Sequence, residues 1–210
     1  MKFTYFQSYI PTIEKATLGG LTSQFRLAPK MRLNYSQDKI KANDPRHAAV
    51  LALFYPDSEN ETCFLLTLRA SYNGTHSAQI SFPGGKAEKT DTSFNHTAKR
   101  ETYEEVGIEM SDIKIIKELT DAYIPPSNFL VTPFLGTLDT IPSFITNDEV
   151  EEIIEVRLSD LLDESNITLK NMSTSYMKNI EIPCFILNDH IVWGATAMIL
   201  SEIKDLLKEI

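Results

Sequence analysis

Three glutamates in one short segment have the type and spacing expected of a divalent-metal site. Glu101, Glu104 and Glu105 stand at positions i, i+3 and i+4, which places them on one side of a helix. Like charges at this spacing cost roughly 0.2–0.5 kcal/mol per pair in a bare helix, so a cation should offset them. Clustered carboxylate oxygens suit Mg²⁺ or Mn²⁺, and Arg100, four residues before Glu104, is placed to orient that carboxylate. A solvated acidic helix face is the alternative for Glu104 and Glu105 taken alone.

The elements that must position these glutamates can be predicted from local patterns. A helix is expected over residues 92–106, with Asp91 or Thr92 capping its start and Gly107 its end. Short apolar runs at 47–55 and 62–69 predict two strands joined by a polar turn. Further strands are predicted at 113–119, 129–138, 150–158, 176–187 and 191–193, and a closing helix at 195–207. Strands on both sides of one internal helix favour an α/β fold with a mixed sheet.

The 210 residues suit a single large domain with an added arm. The chain changes character near residue 47, which predicts a partly helical N-terminal arm over 1–47 and a main domain over 48–210. Cys63 and Cys184 each lie in an apolar run and fit no metal-ligand spacing, so both are expected to be buried free thiols.

Charge and hydropathy narrow the possible partners. A net charge of −9 argues against sequence-independent binding of nucleic acid, which requires a basic surface. A polyanionic substrate would therefore need local neutralisation, for which a bound divalent metal is the simplest means. No run approaches about 18 apolar residues and no signal peptide is visible, so no membrane contact and a cytoplasmic location are expected.

The metal-site pattern belongs to a longer motif. Gly85, Arg100, Gly107 and the three glutamates together resemble the Nudix box, G-x5-E-x7-R-E-U-x-E-E-x-G-U, in which U is apolar. Asp91 stands where the box has its first glutamate, and one additional residue separates it from Arg100. Because the additional residue precedes the ligand-bearing part of the helix, the register from Arg100 to Gly107 is unchanged.

Flanking segments resemble the coenzyme A pyrophosphatase branch of this family. That branch carries L-L-T-x-R-S, a gap, and then H-x-G-Q-V-x-F-P-G-G, and this chain reads LLTLRA over 65–70 and HSAQISFPGG over 76–85. Residues 193–197, WGATA, resemble the W-G-x-T-A of the branch. A Leu-Arg pair often found in the gap is replaced by Asn73-Gly74, so the reaction class is better supported than the substrate.

The resemblance implies an α/β/α sandwich that hydrolyses a pyrophosphate bond with Mg²⁺ or Mn²⁺. Coenzyme A or acyl-coenzyme A is the favoured substrate, giving 3′,5′-ADP and (acyl-)4′-phosphopantetheine. Hydrolysis of ADP-ribose, NADH or a nucleoside triphosphate is the first alternative, and a non-catalytic Nudix-fold binding module is the second. An acidic helix that binds a protein partner is a third, and a homodimer is expected because branch members often form one.

The same resemblance assigns roles to individual residues. Glu101 and Glu105 would be the principal metal ligands, Glu104 a further or water-bridged ligand, and the carbonyl of Gly85 an additional oxygen. Glu149 is the candidate for a general base on a distant loop, with a solvated loop acid as the alternative.

Other residues near the motifs have two interpretations each. Arg69 and Lys86 are candidate phosphate contacts or surface charges, and His76 contacts substrate or pins its loop. Glu88 is expected to form a loop ion pair, Asp91 to cap the helix, and Trp193 to lie in the core rather than stack on a base.

Overall fold

One long strand with two buried faces organises the fold. The computed structural model describes residues 1–29, 32, 36–70, 79–174 and 177–208, and its central strand is β1 (Arg46–Pro56). Leu51 and Leu53 belong to the apolar cluster on one face of this strand, whereas Ala52 and Phe54 belong to the cluster on the other. Because successive side chains of a strand alternate between its two faces, an almost continuously apolar strand must be covered by other elements on both sides.

The main sheet is mixed, as the sequence predicts. Its strands are β1, β2 (Thr62–Arg69), β3 (Ile80–Ser81), β4 (Gly84–Lys86), β5 (Lys114–Glu118), β6 (Ala122–Ile124), β7 (Phe129–Thr137) and β8 (Val150–Arg157). They follow the order β3-β2-β1-β7-β5, with β4 paired to β1, β6 to β7 and β8 to β2. The β1–β7 pair is parallel and the β1–β2 pair antiparallel. A second sheet has the order β11-β10-β9, from β9 (Ile167–Thr174), β10 (Met177–Leu187) and β11 (His190–Trp193).

Helices cover both faces of the main sheet. They are α1 (Phe3–Lys15), α2 (Gly20–Phe25), α3 (Gln37–Ala42), α4 (Phe94–Val106), α5 (Leu158–Leu162) and α6 (Gly194–Lys208). Helix α4 contributes Ala98 and Val106 to the cluster on one face, and α6 contributes Leu200 and Ile203 to the cluster on the other. This arrangement confirms the predicted α/β/α sandwich.

The N-terminal helices share the core of the rest of the chain. Phe6 of α1 is fully buried and stacks on Phe54 of β1, with 5.2 Å between ring centroids. Glu202 of α6, also fully buried, accepts hydrogen bonds from the Gly20 amide (3.0 Å), Gln24 Nε2 (3.1 Å), the Thr120 amide (3.2 Å) and Thr120 Oγ1 (2.6 Å). The bonds from Gly20 and Gln24 fasten α2 to α6, and the bonds from Thr120 fasten the loop between β5 and β6 to the same carboxylate. The division at residue 47 stays a prediction.

Most of the predicted elements are present with boundaries shifted by one or two residues. The patterns missed α3, α5, β3, β4, β6 and β9. The strands β3, β4 and β6 contain two or three residues each, too few for an alternating pattern to register. Both cysteines are free and buried, as predicted. No helix in the described ranges is long and apolar enough to cross a membrane.

Candidate active site

Two adjacent glycines allow a helix carboxylate to lie against the backbone of a strand. Strand β4 pairs with β1 so that Gly84 faces Val50 and Gly85 faces Ala49. A Cβ atom on Gly84, whose φ is +151°, would lie 2.4 Å from the Ala49 carbonyl oxygen. A Cβ atom on Gly85 would lie 2.5 Å from the carboxyl carbon of Glu101. Any larger residue at either position would therefore displace the strand or the carboxylate.

The start of α4 differs from its prediction. Ser93 is the N-cap, and its hydroxyl accepts a hydrogen bond from the His96 amide at 3.1 Å. The prediction that Asp91 or Thr92 would cap the helix was wrong. The end was predicted correctly, because Gly107 adopts the left-handed conformation (φ +76°) and its amide donates to the Tyr103 carbonyl at 2.9 Å.

Asp91 does not cap the helix but forms an ion pair with Arg100 of the box. Its side chain is 2% exposed and forms two parallel contacts with Arg100, Nε to Oδ1 at 2.9 Å and Nη2 to Oδ2 at 3.0 Å. The hydrogen bond from Arg100 holds the pKa of this carboxyl well below its usual range. Asp91, rather than Glu88, therefore makes the ion pair of this loop in the described chain. The contact is formed although an additional residue separates Asp91 from Arg100.

Arg100 links this loop to two of the glutamates in the predicted site. Its Nη2 lies 3.0 Å from Glu101 Oε1, and its Nη1 lies 2.9 Å from Glu104 Oε2. Nη2 also donates to the carbonyl of Lys86 at 3.2 Å. The contact with Glu104 is the one expected from the i, i+4 spacing.

Glu101 and Glu105 both face a cavity of about 410 Å³ bordered by Gly84 and Gly85. Glu105 is 3% exposed, and its Oε2 accepts a hydrogen bond from the Gly84 amide at 3.1 Å. Burial raises the pKa of Glu105 to about 7 and also raises the pKa of Glu101. A cation between these carboxylates would offset the cost of burying their charge. The two carboxylates on the wall of this cavity therefore fit a hard divalent ion.

Glu104 is placed differently from its two neighbours. Its side chain is 49% exposed, pairs with Arg100, and is not part of the cavity wall. Within the ranges that the structure describes, no three His, Cys, Asp or Glu side chains lie close enough together to hold an ion. The three-carboxylate cluster is thus reduced here to Glu101 and Glu105, and a ligand role for Glu104 stays a prediction.

Arg69 brings the distant acid to the same cavity. Its Nη1 lies 3.2 Å from Glu105 Oε1 and its Nη2 lies 3.1 Å from Glu149 Oε2. The Glu149 carbonyl accepts a hydrogen bond from the Ala70 amide at 2.9 Å, which ties the loop before β8 to the end of β2. Arg69, Glu149 and Lys86 all border the cavity. His76 lies outside the described residues.

The cavity also has apolar walls. Val50, Ile124, Phe129 and Val131 line it, together with Trp193. Trp193 is only partly buried, so its assignment to the core was incomplete. Arg32 also lines the cavity, and the sequence patterns did not identify it because it belongs to no recognisable motif.

A glycine-lined turn, a helix carrying two cavity-facing glutamates and a mixed sheet between helices define this chain as a Nudix-type hydrolase. Residues 45–175 match the NUDIX domain family, and the chain belongs to that family. It is 32% identical over 166 residues to the uncharacterized Nudix hydrolase NudL of Photorhabdus laumondii, covering 79% of this chain and 87% of that protein. It is 34% identical over 139 residues to the mitochondrial coenzyme A diphosphatase NUDT8 of Homo sapiens, covering 64% of this chain and 58% of that protein.

Solved structures share the fold at low sequence identity. A Nudix hydrolase from M. smegmatis, RenU, superposes with a TM-score of 0.56 at 15% identity, covering 79% of this chain and 88% of that one. The NUDIX domain of Shewanella oneidensis NrtR, solved with ADP-ribose, gives a TM-score of 0.51 at 14% identity, covering 84% and 94% of the two chains. These similarities establish the architecture.

Proposed function

We propose that this protein hydrolyses the diphosphate bond of coenzyme A or acyl-coenzyme A with Mg²⁺ or Mn²⁺, giving 3′,5′-ADP and (acyl-)4′-phosphopantetheine. The observation that carries the proposal is the placement of Glu101 and Glu105 on one cavity wall, directly beside Gly85. The choice of substrate is supported by the flanking motifs and by the similarity to the human coenzyme A diphosphatase.

The ligand-bearing residues have distinct tasks in this scheme. The carboxylates of Glu101 and Glu105 and the carbonyl of Gly85 would hold the ion, with Glu104 as a further or water-bridged ligand. A bound divalent ion offsets diphosphate charge and lowers the pKa of coordinated water. Arg100 keeps Glu101 in place through its 3.0 Å contact, and Asp91 in turn fixes the plane of the guanidinium.

The remaining cavity residues bind the substrate and move a proton. Arg69 and Lys86 would contact the diphosphate, because both are cationic and border the cavity beside the glutamates. Glu149 would accept a proton from the attacking water, whose oxygen forms a new bond to one phosphorus. The bond from that phosphorus to the bridging oxygen breaks, and the second phosphate leaves with that oxygen. Arg69 lies within 3.1 Å of Glu149 and would orient its carboxylate.

The direct test measures turnover of coenzyme A, acetyl-coenzyme A, ADP-ribose and NADH side by side, with Mg²⁺, with Mn²⁺ and after chelation. We expect metal-dependent release of 3′,5′-ADP from the coenzyme A substrates. Faster hydrolysis of ADP-ribose or NADH would move the protein to the first alternative. Ligand binding without hydrolysis would indicate a binding module, and turnover that persists after chelation would refute the metal site.

Variants of the two cavity-facing glutamates test the same proposal. Glu101→Gln and Glu105→Gln should each lower kcat on the order of 10²-fold or more, because each removes charge from the ion site. Glu59→Gln is the matched control, since Glu59 is 67% exposed and pairs with Arg157 away from the cavity. Unchanged turnover in both cavity variants would leave the acidic helix as a partner-binding surface.

A homodimer and a cytoplasmic location are further parts of the proposal. Light scattering after gel filtration would give about twice the 23.8 kDa chain mass for a dimer. A mass equal to one chain across a range of concentrations would exclude the homodimer. Localisation of the tagged full chain in its own cells tests the second point.

A further inference from the structure

The cavity extends well beyond the glutamates. It reaches from Gly85 on β4 to Ile124 on β6, and these strands are connected through β1 and β7. Three strand spacings separate β4 from β6, which corresponds to about 14 Å at roughly 4.8 Å per spacing. This length exceeds what a diphosphate alone needs, so the far end is available to another part of the substrate.

A cationic side chain from the N-terminal segment lines this far end. Arg32 is 9% exposed, and its backbone amide donates to the Pro29 carbonyl at 2.8 Å. Its Nη1 donates to the Met198 sulfur at 3.3 Å. Its Nη2 lies 3.9 Å from the position of a Cβ atom on Gly194, beside the first turn of α6. Arg32 lies outside the family-matched range of residues 45–175.

The surroundings of Arg32 favour an anionic ligand group. Arg32 shares the cavity with Ile124 and Phe129, and it borders a neighbouring pocket with Pro125 and Asp121, whose carboxylate accepts a hydrogen bond from Thr132. Glu101 and Glu105 instead lie beside Gly85 and Gly84 on β4. A guanidinium presents a planar fork of donors that matches a phosphate. Charge-assisted hydrogen bonds are also stronger among apolar side chains than in water.

We propose that Arg32 binds a phosphate monoester of the substrate that is remote from the diphosphate to be cleaved. The proposal rests on the proposed function, and for coenzyme A this group is the 3′-phosphate of the ribose. Arg32 is then a specificity-determining residue, supplied by a segment outside the family-matched range. It selects substrates that carry the additional phosphate without taking part in bond cleavage.

A binding measurement tests Arg32 independently of turnover. Isothermal titration of the full chain with 3′,5′-ADP and with 5′-AMP should show at least about tenfold tighter binding of the bisphosphate. Arg32→Ala should abolish this preference, and Arg32→Lys should retain part of it. Arg26→Ala is the matched control, because Arg26 lies in the same segment, is 58% exposed and pairs with Asp205. A wild-type protein without the preference, or an Arg32→Ala protein that keeps it, would overturn the proposal.

Turnover separates the failure of this proposal from failure of the proposed function. In Arg32→Ala, kcat/KM should fall at least about tenfold for coenzyme A and stay unchanged for dephospho-coenzyme A. An equal loss for both substrates would identify a structural role and overturn the proposal, and Arg32→Lys repeats the comparison if the alanine variant does not fold. Wild-type turnover of coenzyme A without any preference for the 3′-phosphate would refute only the role of Arg32. A bisphosphate preference that depends on Arg32, without turnover of coenzyme A, would refute only the proposed function.

Discussion

Glu202 offers a stability test of how the N-terminal helices are held. Its carboxylate is fully buried and accepts hydrogen bonds from four donors, two on each oxygen. Glu202→Gln conserves the size of the side chain but removes its charge and turns one acceptor into a donor. In either orientation of the new amide, its NH₂ group would face two of the existing donors.

The structure sets the size of the effect. In the better orientation the amide nitrogen faces the Gly20 amide and the Thr120 hydroxyl, because a hydroxyl can rotate and accept instead. One partly buried donor, the Gly20 amide, then loses its acceptor, at about 1–3 kcal/mol, and the other bonds lose their charge assistance. We therefore expect the free energy of unfolding to fall by about 2–4 kcal/mol.

Urea unfolding followed by circular dichroism measures this change in the free energy of unfolding. In thermal unfolding, the melting temperature should drop by roughly 4–16 °C. Glu59→Gln serves as the control, since exposed ion pairs contribute at most about 1 kcal/mol. A Glu202→Gln protein within 1 kcal/mol of wild type would refute the reasoning. It would mean that the helix α2 does not depend on this carboxylate for its attachment.

Three other predictions concern the loop and helix that carry the box. Asp91→Asn should cost about 3 kcal/mol, because it breaks a buried ion pair with Arg100. Since Arg100 lowers the folded-state pKa of Asp91, this stabilisation is present above the unfolded pKa of about 3.9 and is lost as pH falls towards the folded-state value. Urea titrations at pH 6 and pH 3 should show a smaller difference between wild type and variant at the lower pH, and an equal difference would contradict the linkage. Gly85→Ala should lower kcat/KM about tenfold or more, because the new methyl group would lie 2.5 Å from the Glu101 carboxyl carbon. A variant with the turnover of the wild type would show that the carboxylate can move at no cost. Ser93→Ala should cost about 1 kcal/mol of stability and Thr92→Ala less than about 0.5 kcal/mol, since Ser93 and not Thr92 caps α4. A larger loss of stability in Thr92→Ala than in Ser93→Ala would support Thr92 as the cap.

The placement of the cavity-facing glutamates could be predicted because it is local. Glu101 and Glu105 stand four residues apart on one helix, so their spacing alone places them on the same side. The helix end at Gly107 is equally local, because the left-handed conformation favours glycine. The Arg100–Glu104 contact follows from the same spacing.

Other features depended on which partners the folded chain supplies. Asp91 has the side chain of a helix cap, but Arg100 lies within reach, and a charged guanidinium is a stronger partner than a backbone amide. The spacing along the helix predicts the same role for Glu104 as for Glu105. Glu105 nevertheless faces the cavity and Glu104 faces solvent, because α4 packs only one side onto the sheet.

The sequence by itself determined the Nudix motif and the helix that carries the acids, since each of these depends on residues close together in the chain. The order of strands and helices along the chain also favoured a mixed sheet, but it did not determine which strands pair. Only the tertiary structure decided that Glu149 reaches the cavity through Arg69, and that Arg32 lines the cavity from the N-terminal segment. The distance between residues so far apart in sequence cannot be read from the sequence. Strand pairing and the attachment of α2 to Glu202 of α6 bring these residues together, and no local pattern encodes either of them.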